Sequence, residues 1–328
     1  MNILIIGGTG TISSAVVKKS VDLGYDVTVL NRGNQNHTLP QNVNLIIGDI
    51  NEEDQIKSLL KGKIYDSVIQ FVGFSRNQIE KDVRIFKGMT RQYVFISSAS
   101  VYHKPVEDYP ITEETPLHNP HWSYSQDKIA CEQYLKTVKD MNITIVRPSH
   151  TYNCQMIMAP VIRWGFEYAH IKRLLERKPI IIPGDGTSLW TITHARDFAN
   201  SFVDLLGNPK TYNQDFHITS EKLYTWDQLT HITAKALGVK ANIVHIPTDF
   251  IIRTLPELEG PLLGDKTWSA IFDNGKIKSI SENYQSSIVY EDIVADVLAF
   301  YNKHQEKQKV SQEFEEKYDK IISDYLNK

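Results

Sequence analysis

A doubly wound α/β fold, a parallel sheet with helices on both faces followed by a smaller α/β domain, is what this 328-residue sequence predicts, and three observations carry the prediction. The first is the stretch from Met1 to Arg32. It holds an apolar, β-branched run over 2–6, the turn Gly7-Gly8-Thr9-Gly10, a segment with Ile12, Ala15, Val16 and Leu23 at helical spacing, and a second strand run over 27–30. The second is that short apolar runs keep alternating with amphipathic stretches further along, the pattern of parallel strands covered on both faces. The third is size: 41% hydrophobic content in a chain of this length supports one large or two modest domains.

Strand, glycine turn, helix and strand within about thirty residues is the βαβ unit of a dinucleotide-binding, Rossmann-type fold. A turn that tight needs backbone angles closed to most side chains, and phosphates approach bare N–H groups at a helix start. Gly7, Gly10 and the first helical positions Thr11 and Ile12 are therefore candidate phosphate contacts. The spacing is Gly7-x-x-Gly10-x-x-Ser13, with a serine small enough for close packing where a third glycine would stand. At the end of the second strand an acid against the ribose 2′-hydroxyl would select NAD; Asn31 and Arg32 stand there instead. A guanidinium suits a 2′-phosphate, which favours NADP over NAD, the alternative being that Arg32 is a solvated residue stacking on the adenine.

A third strand is predicted over 43–47, ending at Gly48-Asp49-Ile50, where Asp49 either accepts from the adenine amino group or begins the following loop. Helices over 52–60 and 77–88 alternate with strands over 67–72 and 93–97. Ligands on such sheets bind beyond the carboxyl ends of the strands, which makes Phe71, Val72 and the run Ser97 to Ser100 candidates for cofactor and substrate contact. After an irregular stretch, 103–120, comes an amphipathic helix over 122–140, and Tyr124 and Lys128 stand on one face of it. A second Tyr-x-x-x-Lys pair, Tyr168 and Lys172, lacks a serine-bearing strand end at similar distance; the first pair has one and precedes a strand over 143–146 closed by Arg147-Pro148. Further strands are predicted over 179–182, 215–218 and 243–246, with helices over 195–206 and 226–237. Asp197 reads as favourable charge at a helix N-terminus. The end of the chain, 289–325, reads as helical and charged, with Val310, Phe314, Tyr318, Ile322 and Tyr325 forming one apolar stripe. That stripe is expected to cover the chain's own domain; a subunit contact, and with it a homodimer, is the alternative. The predicted division is 1–150 for the dinucleotide-binding domain, with a return segment near 185–220, and 151–328 for a mainly substrate-binding domain with a helical tail.

Composition removes several function classes. A formal charge of −3 gives no basic field for nucleic acid. Cys131 and Cys154 fit neither a disulfide framework nor a metal-ligand spacing, and the eleven histidines show no H-E-x-x-H pattern, so no metal and a reducing compartment are expected. A strand beginning at Asn2 leaves no room for a leader, and no apolar run approaches the roughly twenty residues of a membrane span. The expected protein is cytoplasmic and takes a small-molecule substrate, with no nucleic-acid or membrane partner.

The glycine turn, Phe95-Ile96-Ser97-Ser98-Ala99-Ser100-Val101-Tyr102, Tyr124-x-x-x-Lys128, Arg147-Pro148 and Gly184-Asp185-Gly186-Thr187 together resemble the extended short-chain dehydrogenase/reductase family, specifically its NAD-dependent epimerase/dehydratase branch, over roughly residues 1–206. The resemblance implies a catalytic triad of Ser98, Tyr124 and Lys128, with Tyr124, Lys128 and Pro148 also contacting the cofactor and a smaller substrate domain after Pro148. It implies an NADP- or NAD-dependent oxidoreductase or epimerase acting on a sugar, sugar nucleotide or related carbonyl compound. A simple carbonyl reductase is the runner-up, and a cofactor-binding or RNA-associated regulator, like the family's chloroplast RNA-binding members, is the rival from another class. An ammonium beside the phenol is expected to lower the Tyr124 pKa from about 10 towards working pH. Departures from the family narrow the chemistry. Ala99 and Ser100 occupy the places of the dehydratases' Asp-Glu pair, Trp190 that of a diphosphate-binding arginine, and His150 that of an asparagine. Ser100, His150 and Trp190 are the candidate substrate contacts, Trp190 through a flat face suited to a sugar ring. His150 either bonds substrate or caps its strand. Arg163, Arg196 and Arg253 are the cations available to replace the missing arginine.

Overall fold

The computed structural model describes residues 1–327, and the residues of its central sheet are apolar on alternate sides. Seven strands make that sheet: β1 (Asn2–Ile6), β2 (Asp26–Asn31), β3 (Asn44–Ile47), β4 (Tyr65–Gln70), β5 (Thr90–Ile96), β6 (Ile143–Pro148) and, after three strands of the smaller layer, β10 (Gln214–Ile218). Every neighbouring pair is parallel, in the order β10-β6-β5-β4-β1-β2-β3. Ile3 and Ile5 of β1 pack with Val16, Val17 and Phe198 on one face, under the helices Thr11–Asp22 and Ala195–Phe202. Leu4 and Ile6 pack with Ile56, Ile79, Phe86 and Leu135 on the other, under the helices Glu53–Leu59, Arg76–Phe86 and Ser123–Thr137. Burial on both faces is why these strands read as continuous apolar runs. The chain leaves β1 towards β2 and β3 on one side, then crosses to β4 on the other, so the carboxyl ends of β1 and β4 open a crevice between diverging connections.

The smaller layer comes from the second half of the chain. A three-stranded sheet joins β7 (His150–Tyr152), β9 (Leu189–His194) and β11 (Leu223–Thr225), and a parallel pair joins β8 (Pro179–Pro183) to β12 (Asn242–Ile246). Tyr152, Trp190, Trp226 and Tyr290 fill its core. The helix Ala195–Phe202 and β10 then return to the large sheet. Asp197 on that helix accepts from the amide of Ile288 at 2.9 Å and is 3% exposed, so it pins the later segment and is more than a helix-end charge.

The tail is two helices, Tyr290–Lys303 and Gln312–Leu326. The single helical stretch read from the sequence is broken after Lys303, where the Gln308 side chain donates to the Tyr301 carbonyl at 2.9 Å and caps the end of the first helix. Phe314, Tyr318, Ile321 and Ile322 pack on Ile181, Ile246, Ile251 and Leu255 of the same chain. Arg173 donates to Glu315 and Asp319 at 2.8 and 2.6 Å and lies over the Tyr318 ring, while the Tyr318 hydroxyl accepts from the Ile181 amide. The stripe is covered by its own domain. No helix among the described residues is long and apolar enough to cross a membrane.

Candidate functional site

A cleft of about 520 Å³ opens at the carboxyl ends of β1, β2 and β4, lined by Gly7, Thr9, Asn31, Arg32, Asp49, Ile50 and Val72 among others. Gly7 and Gly8 hold φ of +106° and +83°, and a Cβ on Gly8 would stand 2.8 Å from Val29. Those two glycines are required by the turn itself. Gly10 is different: its φ is −83°, and a Cβ there would meet only Ser13 Oγ at 3.4 Å. Nothing within the chain asks for glycine at 10. Ser13 Oγ accepts from the Gly10 amide at 2.9 Å, so the serine in the third glycine's place closes the turn. The Asn31 side chain donates to Gly7 O at 3.3 Å and accepts from Gly33 N at 2.8 Å, bracing the turn against the β2 loop. Arg32 is exposed and makes no hydrogen bond or ion pair among the described residues. One Asp49 oxygen accepts from the amide and side chain of Asn51, at 3.0 and 2.9 Å, and holds the loop. Two sequence candidates turn elsewhere: Phe71 packs against Phe202 with ring centroids 6.1 Å apart, and Ile12 joins the apolar cluster beneath its helix. Alternation along β4 sends Phe71 to one face and leaves Val72 at the cleft. Bare amides at a helix start, a braced strand end and a cation at its rim fit a dinucleotide.

The second cleft, about 480 Å³, lies beyond β5 and β6 and contains Ser98, Tyr124, Pro148, His150 and Trp190. Ser98 follows β5, and its Oγ accepts from the Ser100 amide at 3.2 Å. The Tyr124 phenol lines the same cleft as the Ser98 hydroxyl. Lys128, one turn further along the helix, is 2% exposed and donates to the carbonyls of Gly73 and Ile96 at 2.7 and 2.8 Å. Its ammonium stands 5.8 Å from the Tyr124 ring centroid. Burial pushes the Lys128 pKa down to about 8. The expected lowering of the Tyr124 pKa is reversed: burial raises the phenol, the Ser98 hydrogen bond opposes that, and Asp265 adds to it. Desolvation of the phenolate dominates, and the Lys128 ammonium is engaged by two carbonyls. Arg147 fixes this helix to β6 through two bonds to Glu132, 3.0 and 2.7 Å, with both side chains fully buried.

The candidate substrate contacts divide. The Ser100 hydroxyl is 2.9 Å from that of Ser98 and accepts from Ser125 at 2.8 Å, so it supports Ser98 and is already engaged. Trp190 is 2% exposed, gives its N–H to Lys266 O, and sets its ring against Trp226 at 5.0 Å. It is wall, with no flat face free for a sugar ring. His150 makes no hydrogen bond among the described residues, so it caps nothing, and burial lowers its pKa to about 3, leaving a neutral imidazole on the cleft. None of Arg163, Arg196 and Arg253 lines this cleft. Its cation is Lys104, accompanied by Asp265, Trp122 and Trp164, four residues that sequence reasoning missed. Tyr168 of the second Tyr-Lys pair packs on Tyr301, and Lys172 pairs with Glu176, both away from either cleft.

The model of the NAD dependent epimerase/dehydratase family matches residues 3–218. The chain belongs to that family. Among curated relatives of this family member is the chloroplast stem-loop binding protein of 41 kDa b of Arabidopsis thaliana, 31% identical over 263 residues, 76% of this chain and 67% of that protein. Another is 2′-dehydrokanamycin reductase of Streptomyces kanamyceticus, 24% identical over 289 residues, 87% and 80% of the two chains. Among solved structures, UDP-glucose 4-epimerase of Thermotoga maritima with UDP-glucose superposes with a TM-score of 0.72 at 20% identity, covering 93% of this chain and 100% of that one. UDP-glucuronic acid 4-epimerase of Bacillus cereus in complex with NAD gives 0.70 at 19% identity, covering 95% and 99%. These two likenesses are of fold. Membership makes this an NAD-dependent enzyme, and the family's cofactor has a fitting cleft here.

Proposed function

We propose that the protein is an NADP- or NAD-dependent oxidoreductase or epimerase that acts on a sugar, sugar nucleotide or related carbonyl compound through Ser98, Tyr124 and Lys128. The observation that carries this reading is that Ser98 and Tyr124 line the second cleft together, with the Lys128 ammonium buried 5.8 Å from the Tyr124 ring centroid and held by the carbonyls of Gly73 and Ile96. When bound, the dinucleotide supplies the hydride donor or acceptor. Gly7, Gly10 and the helix start would hold its diphosphate, and Asn31, Arg32, Asp49, Ile50 and Val72 its adenosine end. Tyr124 gives a proton to a substrate oxygen during reduction and takes it back during oxidation, while Ser98 holds that same oxygen. Lys128 keeps a positive charge beneath both. Ala99 and Ser100 supply no acid and no base where the dehydratases carry an Asp-Glu pair, which argues against 4,6-dehydration.

Arg32 supports NADP, because a free cation stands at the rim and the end of β2 carries Asn31 and Arg32 in place of an acid for the ribose hydroxyl. A small-molecule partner is favoured over nucleic acid by the charge of −3. The test is to titrate NADPH and NADH by nicotinamide fluorescence, then screen aldehydes, ketones, free sugars and UDP- and dTDP-sugars at the nicotinamide absorbance with product analysis. Turnover that Tyr124→Phe removes, with cofactor affinity kept, is the expected result. Absence of binding to either dinucleotide, or full turnover by the variant, refutes the reading.

A further inference from the structure

Lys104 and Asp265 both line the second cleft, opposite charges brought in from distant parts of the chain. Lys104 is 4% exposed, yet its ammonium makes no hydrogen bond or ion pair within 4.0 Å among the described residues. The Asp265 carboxylate likewise has no hydrogen-bond partner among them. Each stabilises the charged form of the other, so they share one field without touching. A buried ammonium and a carboxylate left apart cost free energy unless something polar completes them.

The frame around the pair is built. The Asn119 amide donates to the carbonyls of both Ser100 and Gly264, each at 2.7 Å, which couples the Ser98 loop to the segment carrying Asp265. A Cβ on Gly264 would lie 2.7 Å from the Trp122 Cβ, so that segment packs directly on Trp122, whose ring stands next to that of Tyr124. The Lys104 amide donates to His118 O at 2.9 Å.

Resting on the function proposed above, we infer that Lys104 and Asp265 form the recognition site for a neutral polyhydroxylated ring, a free sugar or cyclitol, held through its hydroxyl groups. A hydroxyl is both acceptor and donor, so one sugar edge accepts from the ammonium and donates to the carboxylate, filling the gap that keeps the two apart. Lys266 also acts on Asp265, but its ammonium donates to Pro160 O at 3.3 Å and does not line the cleft, so the two charges that do line it sum to zero and suit a neutral ligand; a diphosphate laid against Lys104 would face Asp265 as well. Trp122 beside Tyr124, 4.9 Å between centroids, and Trp164, 79% exposed at the cleft, supply the aromatic surface that sugar C–H faces pack on.

The experiment titrates the full chain with D-glucose, D-galactose, myo-inositol, UDP and inorganic pyrophosphate, reading intrinsic tryptophan fluorescence, which three tryptophans of the cleft report. At least one of the neutral polyols is expected to saturate, and UDP and pyrophosphate are expected not to compete with it. Lys104→Gln and Asp265→Asn should each weaken that polyol at least tenfold, with the NADH titration midpoint and the circular dichroism spectrum unchanged. The inference is overturned if no polyol in the panel saturates, if UDP displaces the polyol, or if both variants bind it as the parent does. The competition uses the unaltered protein, so it decides even where a variant fails to fold. Loss of NADH binding with polyol binding intact defeats the cofactor reading and leaves this one standing.

Discussion

The two clefts of this molecule are made from different amounts of chain. The first is lined by residues between Ile6 and Gln78, supplied by four successive strand ends and their loops. The second draws on 98–104, 122–124, 148–156, 164, 190 and 265–272, so it exists only once the smaller layer has docked. A local site can be held by a turn, and Gly7, Gly8, Ser13 and Asn31 hold it with backbone angles and short-range bonds. A dispersed site must be held by cross-chain ties, and Asn119 and Arg147 are the visible ones. The difference teaches that binding of cofactor and binding of substrate should fail separately under mutation.

The largest separation is expected from Tyr124→Phe. Loss of a positioned acid–base group costs about 10²–10⁴-fold in turnover, while the first cleft, which Tyr124 does not line, keeps its affinity. Steady-state rates beside a dinucleotide titration check this, and parallel losses of both would merge the two clefts into one unit. Gly10→Leu should do the converse. Its backbone angles are open to any residue, so the protein folds, and a side chain over the helix start is expected to weaken the dinucleotide by more than about tenfold, roughly 1.4 kcal/mol. A polyol that binds the second cleft should titrate unchanged in that variant.

The same contrast explains what the sequence made legible. The opening βαβ unit, the Ser98 strand end and the Tyr124 helix are each contained in one short window, where spacing and period carry the signal. Lys104 and Asp265 are separated by most of the fold, and no period or motif connects them. The strands β7 and β11 span three residues each, too few to display an alternation. Trp190 lies at the cleft, but its ring is committed because Trp226, a distant residue, takes its face. The sign of the Tyr124 shift is illegible in the sequence for a related reason: spacing reveals a neighbouring charge, whereas burial and the carbonyls of Gly73 and Ile96 are tertiary facts.

That corrected sign gives a pH test of the second cleft alone. A phenol held above its ordinary value is protonated at neutral pH, ready to donate during carbonyl reduction. Oxidation of an alcohol needs the deprotonated form, so its rate should climb with pH from 6 to 9 while reduction stays level near neutrality. An oxidation rate that falls over that range contradicts the role given to Tyr124. For the first cleft, Arg32→Ala is expected to erode a preference for NADPH over NADH by a smaller factor. The side chain is exposed, and exposed ion contacts are worth up to about 1 kcal/mol, roughly fivefold. Tighter NADH than NADPH binding in the parent protein would remove the preference altogether.

The smallest effect expected is also the one that separates contact from support within the second cleft. Ser100 does not offer its hydroxyl to a ligand: that oxygen lies 2.9 Å from Ser98 Oγ and accepts from Ser125 at 2.8 Å. Removing it in Ser100→Ala leaves Ser98 with the amide bond from residue 100, so the hydroxyl–hydroxyl bond to Ser98 is lost and the amide bond is kept. A neutral hydrogen bond contributes about 0.5–1.5 kcal/mol, and the amide bond that survives should keep the loss near the lower end, about two- to threefold in kcat. Because Ser98 meets the substrate oxygen most strongly as charge develops there, the loss should fall on kcat and leave KM in place. A rise in KM with kcat unchanged would return Ser100 to the substrate contacts, and a loss as large as that of Ser98→Ala would show that the amide bond alone cannot hold Ser98.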